Sequence, residues 1–117
     1  MRLIRFHEAQ RYEPQPQWAR LSLCDEPGIS MEHFTKPANH VSPRHHHTNV
    51  QVIALLSGQL IVHSDHFEDQ WMQAGDVLTI PSDEPHWVAN PLAEPAVGLD
   101  IFVPGRPFTF WLSQLQG

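Results

Sequence analysis

Short runs of apolar and β-branched residues, each closed by proline, glycine, asparagine or aspartate, follow one another along the chain. Leu3 to Ala9 reads as a first, edge strand. The connection after it, Tyr12-Glu13-Pro14-Gln15-Pro16-Gln17, carries two prolines that keep it out of a sheet interior. Trp18 to Cys24 alternates weakly, Asp25-Glu26-Pro27-Gly28 is a strong turn signal, and Ile29 to Thr35 is the next strand, closed by Lys36-Pro37-Ala38-Asn39. Val50 to Leu56 is apolar at nearly every position, the pattern of a strand buried on both faces. A tight turn at Ser57-Gly58-Gln59 leads into Leu60 to His63, and Ser64-Asp65-His66 turns again into Phe67 to Met72. Val77 to Ile80, His86 to Ala89 and Ala96 to Val103 complete the strands. Only the C-terminus changes period: Phe108, Trp111, Leu112 and Leu115 fall at i, i+3, i+4 and i+7 behind Pro107, a short amphipathic helix. Strands separated by rigid turns, with one short helix, predict an all-β fold.

The chain has 117 residues, enough for one hydrophobic core and too few for two, so residues 1–117 are expected to form a single domain. Its formal charge is -6 and its seven Lys and Arg are scattered, which argues against nucleic acid as a partner. No apolar run approaches the roughly 18 residues that span a bilayer, and the first residues lack the apolar core of a secretion signal. A cytoplasmic protein without membrane contact is expected, and the lone Cys24, read as a buried small residue, fits a reducing compartment.

The chemistry lies in the histidines. In Pro43-Arg44-His45-His46-His47-Thr48-Asn49-Val50-Gln51, side chains of an extended segment alternate faces, so His45, His47 and Gln51 point one way and His46 the other. A metal held by strands needs a further group from a neighbouring strand, and His86, between Gly75 and Asn90-Pro91, is the candidate. Three imidazoles and an amide suit one divalent transition metal ion, Fe, Ni, Cu, Zn or Mn, and leave its charge uncompensated. A small anionic molecule is therefore the expected ligand. His33 and His40 read as hydrogen-bonded barrel or loop residues, and His63 and His66 as solvated residues about a turn.

These spacings resemble the cupin superfamily. His45, His47, Gln51 and Gly58 keep the register of its first motif, with Gln51 where Glu is usual and without the leading Gly. Gly75, Pro81, His86 and Asn90 keep the second, with Asp83 where a Gly is usual, a residue that tolerates left-handed conformations. The resemblance implies a double-stranded β-helix, or jelly-roll, barrel of the RmlC-like kind. The segment Asp100-Ile101-Phe102-Val103-Pro104-Gly105-Arg106 resembles the tail of a subgroup, the pectin-degradation cupins that open the ring of 4,5-unsaturated galacturonate. That likeness implies a metal on three His and Gln51, a pocket lined by Phe102, Arg106 pairing with the substrate carboxylate, and Asp100 moving protons. Alternatively, Asp100 and Arg106 pair with each other at the barrel end. A lyase or isomerase on a sugar acid is thus the first expectation, with an Fe(II) dioxygenase and a non-catalytic ligand-binding or sensor protein as alternatives.

Parity also bears on assembly. With Asp100 and Phe102 inward, Val97, Leu99, Ile101 and Val103 face outward, as do Val50, Val52, Ala54 and Leu56, and a face so apolar needs a cover. A homodimer about a two-fold axis is expected.

Overall fold

The computed structural model describes residues 1–116. After a one-turn 3-10 helix (Phe6–Glu8) come nine strands: β1 (Arg11–Gln15), β2 (Trp18–Glu26), β3 (Ile29–Lys36), β4 (Val50–Ser57), β5 (Gln59–Ser64), β6 (Gln70–Gln73), β7 (Val77–Ile80), β8 (His86–Ala89) and β9 (Ala96–Val103). A helix, α1 (Phe110–Gln116), ends the described chain. The strands form a six-stranded sheet, in the order β1-β2-β3-β9-β4-β7, and a three-stranded sheet, β6-β5-β8. All pairings are antiparallel. The two sheets form the barrel that the motifs imply. Among the described residues no helix is long and apolar enough to cross a membrane.

The apolar core lies between the sheets: Phe34 from β3, Ile53 and Leu55 from β4, Leu60 and Val62 from β5, Met72, Ile80 and Ala96. Gly98 on β9 is required there, because a Cβ would lie 2.6 Å from both the Ala54 carbonyl oxygen and the Phe34 ring. The Phe34 ring occupies the volume that any side chain at 98 would need.

Several expected elements fall elsewhere. Leu3 to Ala9 makes no ladder; the Glu8 amide closes on the Arg5 carbonyl at 3.0 Å, and Phe6 lays its ring edge-on against His33 at 4.9 Å on the outer face. The first strand is instead Arg11–Gln15, inside the stretch expected to be a loop. Pro14 is tolerated because β1 is the sheet edge and its register slips between Tyr12 and Gln15, so no ladder donor is lost there. Gln17 makes the turn at φ 67°. Asp25 and Glu26 continue β2, pairing with Ser30 and Ile29, and Pro27-Gly28 alone makes the turn. The β6 strand begins at Gln70 rather than Phe67, because the Phe67 amide is held in a turn by Ser64 Oγ at 3.1 Å. The β4 strand alternates instead of being buried on both faces: Gln51, Ile53 and Leu55 are buried, Val50, Val52 and Ala54 half-buried, and Leu56 exposed. The helix starts at Phe110, whose amide bonds the Pro107 carbonyl at 3.1 Å.

Candidate metal centre

The two motif stretches meet through their backbones. His45 and His86 exchange both amide-to-carbonyl hydrogen bonds, at 3.0 and 2.9 Å, so the segment before β4 lies against β8. Along that segment His45, His47 and Asn49 are buried while Arg44, His46 and Thr48 are exposed, the parity expected of an extended chain. Asn49 fastens it by donating to the Pro104 carbonyl at 2.7 Å. Asp83, at φ 63°, adopts the left-handed conformation of the missing glycine and donates its amide to the His47 carbonyl at 2.8 Å.

The hydrogen bonds fix which nitrogens face inward. Each Nδ1 lies against a backbone carbonyl: His45 on Pro43 at 2.9 Å, His47 on Asn49 at 3.0 Å, His86 on Glu84 at 2.8 Å. A carbonyl only accepts, so each Nδ1 carries the proton and each Nε2 offers a bare lone pair. The ligand atoms of the three histidines lie within 4.8 Å of one another, and Nε2 of His86, a residue only 1% exposed, has no protein partner. Gln51 completes the set. Its Nε2 donates to Asp100 Oδ1 at 3.0 Å, which turns Oε1 toward His47 Nε2, also at 3.0 Å. Oxygen and nitrogen there meet lone pair to lone pair with no proton between them. That contact is repulsive on its own and favourable around a cation, so the donor set His45, His47, His86 and Gln51 fits a divalent transition metal. Burial holds all three imidazoles neutral, as a ligand must be: it pushes His45 down to about 2, with help from His86, and lowers His47 and His86 as well.

Behind the ligands runs a chain of buried charges. Arg20 Nη2 donates to Asp100 Oδ2 at 2.6 Å and its Nε to Glu32 Oε1 at 2.7 Å; Arg106 Nε reaches Glu32 Oε2 at 3.4 Å. The order is therefore Arg106, Glu32, Arg20, Asp100, Gln51, His47. Burial works against the Arg20 cation, yet Glu32 and Asp100 together raise its pKa above the usual value. The expected alternative of a direct Asp100–Arg106 pair is not formed: Glu32 and Arg20 stand between them. Ser30 Oγ accepts from the Arg106 amide at 3.0 Å, and Gly105 permits this approach, since a Cβ would fall 2.2 Å from the Glu26 carbonyl. The Arg106 guanidinium is stacked between Phe102 and Phe110, 3.7 and 4.1 Å from the ring centroids, and its Nη1 has no partner. Burial pushes Arg106 down to about 10.

Arg20, Gln51, Asp100, Arg106, His45 and His86 line one cavity, together with Trp18, Lys36 and Trp111. Its volume is about 30 Å³, room for one or two waters. The C-terminal helix borders it: Trp111 packs on His45 at 4.4 Å and on Trp18 at 4.9 Å, and Phe110 lies 5.8 Å from both His45 and His47. Reading the sequence missed Arg20, Glu32, Lys36 and Phe110. The available signal was the polar residues Ser30, Glu32 and Lys36 on one face of β3, a pattern that also describes a wet face.

His33 and His40 stay outside the ligand set: His33 meets Phe6 on the outer face, and His40 bonds Lys36 and Gln15. His63 stacks on Trp87 and bonds Asp69, while His66 bonds Glu84.

The cupin domain family matches residues 32–102. This chain belongs to the cupin family. Among curated proteins none matches this cupin by sequence. Solved structures with the same fold include KdgF from Halomonas sp., 20% identical, covering 91% of this cupin and 96% of that chain at a TM-score of 0.81. An RmlC-like cupin from Shewanella frigidimarina NCIMB 400 is 17% identical, covering 91% and 93% at a TM-score of 0.80. The polyketide cyclase RemF from Streptomyces resistomycificus is 18% identical, covering 92% and 82% at a TM-score of 0.75.

Proposed function

We propose that this cupin binds one divalent transition metal and acts on a small sugar acid, opening the ring of an unsaturated uronate to its linear keto form. What carries the reading is one cavity in which acceptor-only ligand atoms face an arginine N–H without a partner. The resemblance of Asp100 to Arg106 to the pectin-degradation cupins supports it, as does the fold-level likeness to KdgF.

A bound metal would supply a Lewis acid that polarises a substrate oxygen. His45, His47, His86 and Gln51 would hold it. Arg106, pinned between two rings with Nη1 free, would take the substrate carboxylate. Phe102 fixes that guanidinium in place, and Asp100 keeps Gln51 turned to the metal. As folded, the cavity is too small for a sugar, so binding one requires the side chains around it, Trp111 of α1 among them, to move apart. The test is to load the protein with Fe, Ni, Mn, Zn or Cu and follow the ultraviolet absorbance of 4,5-unsaturated galacturonate. Loss faster than the spontaneous rate is expected, and insensitivity to air separates this reaction from Fe(II)-dependent oxygenation. No acceleration with any metal would sink the reading. It would favour a non-catalytic ligand-binding cupin.

We also infer a homodimer. Val103, Val77 and Leu56 are exposed on the outer face of the large sheet, and Val50, Val52, Leu99 and Ile101 are half-buried there. Light scattering at micromolar concentration should give twice 13.4 kDa; a monomer would remove this proposal.

A further inference from the structure

The cavity contains an amine that the metal site does not explain. Lys36 is the only lysine in the sequence, and it is 3% exposed, on the inward face at the end of β3. It lines the same cavity as His45, His86, Asp100 and Arg106. A lone lysine in a chain of this kind would ordinarily be at the surface, because burying an ammonium without a carboxylate is unfavourable. Lys36 has no carboxylate partner. Both oxygens of Asp100 are taken, by Arg20 and Gln51, and both of Glu32, by Arg20 and Arg106.

Its one hydrogen bond is to a neutral ring. The Pro37-Ala38-Asn39 turn, with Asn39 at φ 60°, folds His40 back onto the strand end, and Lys36 Nζ meets His40 Nδ1 at 2.6 Å. His40 Nε2 lies 2.6 Å from Gln15 Oε1, an acceptor, so Nε2 carries the ring proton and Nδ1 accepts from Lys36. The ammonium also sits 5.0 Å from the Trp18 ring centroid. His40 thus aims the amine while leaving its other N–H bonds uncommitted. The charged groups around it are Arg20, Asp100 and Arg106, with His40, His45 and His86 as neutral neighbours; burial and then Arg20 push Lys36 down to about 7, against the pull of Asp100.

We propose that Lys36 is the proton-transferring side chain of this cavity, taking the role that the resemblance to the pectin-degradation cupins implies for Asp100. Asp100 is unsuited to it, with both oxygens occupied by donors. The assignment rests on the ring-opening reading above. In that reaction the C1–O5 bond of the unsaturated uronate breaks, the anomeric O–H proton is lost as C1=O forms, and the ring oxygen gains a proton as the C5 enol. The Lys36 ammonium then gives its proton to C4, and the resulting amine takes the proton of the enol O–H as C5=O forms. The sum is an isomerisation without a further reactant.

Because Lys36 is the only lysine, protein grown on 15N-lysine has a single Nζ signal. In the zinc-loaded protein that signal should titrate at or below about pH 7, since a nearby cation lowers an ammonium further. Lys36→Met and Lys36→Arg, checked for unchanged metal content, should each lower kcat on the unsaturated uronate by about 10²- to 10⁴-fold with KM within about threefold, since arginine keeps the charge but releases no proton near neutrality. Recovery of activity in Lys36→Arg to within about tenfold of wild type would overturn the proposal, leaving a charge and no proton transfer. An Nζ signal still fully charged at about pH 9, close to an ordinary lysine, overturns it whatever the assay gives. If the wild type fails on every uronate while Nζ titrates near neutrality, the ring-opening reading falls and the assignment of a neutral-range amine stands.

Discussion

Along β4 and β9 the inward positions change character halfway. On β4, Gln51 joins the candidate ligands and Ile53 and Leu55 face the apolar core; on β9, Phe102 and Asp100 border the site and Gly98 and Ala96 the core. Both halves of the interior are buried, and they obey different physics. In the apolar half each side chain stabilises the fold by leaving water, roughly 1.5–3 kcal/mol apiece, and needs only the right volume. In the polar half burial opposes folding, and Arg20, Glu32, Asp100 and Gln51 are tolerated because each finds a partner of fixed direction. The apolar half therefore supplies stability, and the polar half uses part of it to hold one arrangement of ligands.

The sharpest break of this comparison is His47→Ala. The sheet should survive, since the neutral imidazole adds little to packing, while metal binding falls by two orders of magnitude or more, as loss of a direct ligand exceeds the 10- to 100-fold of an outer partner. His46→Ala, on the exposed side of the same segment, should leave metal content unchanged. Metal analysis of both variants after dialysis tests this, and equal loss in the two would remove the parity argument.

Stability separates the halves in another way. Arg20→Met leaves Glu32 and Asp100 buried without their shared cation, which should cost about 3–5 kcal/mol. Leu60→Ala, in the apolar half, should cost about 2–5 kcal/mol through cavity formation. The two losses overlap in size and differ in consequence. Leu60→Ala should keep its metal affinity, while Arg20→Met should lose it in part because Asp100 is no longer held for Gln51. Urea unfolding followed by metal titration reads both. An Arg20 variant as stable as wild type would show that the charge chain is dispensable.

How much of this the sequence discloses follows the same division. The candidate ligands are legible because parity puts His45, His47 and Gln51 on one face and the likeness to the second cupin motif brings in His86, and because Asp83 and Gly75 keep left-handed positions at φ 63° and 97°. The strands of the apolar half are legible from their β-branched runs. Arg20, Glu32 and Lys36 are not, because alternation tells two faces apart without saying which is inside. On β3 the inward set is Ser30, Glu32, Phe34 and Lys36, and the outward set includes Ile29 and Met31, so the more polar face is the buried one. The β1 strand was hidden by Pro14, whose missing N–H matters little at a sheet edge.

A subtler change tests the link between the charge chain and the ligands. Asp100→Asn replaces two acceptor oxygens by one acceptor and one donor. Arg20 can only donate, so it should keep the asparagine oxygen and present the amide nitrogen to Gln51. Gln51 must then flip, turning Oε1 to that nitrogen and its own NH2 toward His47. A metal would have to reverse that flip, setting two NH2 groups against each other, so affinity should fall about 10- to 100-fold with the three histidines intact. A competitive chelator titration reads this, and an unchanged affinity would mean that Gln51 is not oriented by Asp100.

The smallest effect is a slope against pH in the metal-free protein. Burial, followed by Arg20, holds Lys36 at about 7 in the folded protein against an ordinary 10.5, so between these values the unfolded chain binds a proton that the folded chain does not. Stability rises with pH wherever the unfolded state binds more protons. The contribution of Lys36 is therefore fully present above about 10.5 and is lost as pH falls through the folded value near 7. The rise from this one group is at most about 1.4 kcal/mol per pH unit. His40 acts in a separate window with the same sign: burial and Lys36 push it down to about 4, so stability falls as pH drops from about 6.5 toward 4. Arg106, at about 10, adds nothing below pH 9. Urea midpoints of the metal-free protein measured between pH 7.5 and 9 should therefore climb in the wild type and stay level in Lys36→Met. A flat wild-type profile in that range would mean that the amine keeps its proton in the cavity, and the polar half would then hold one more charge than its carboxylates can balance.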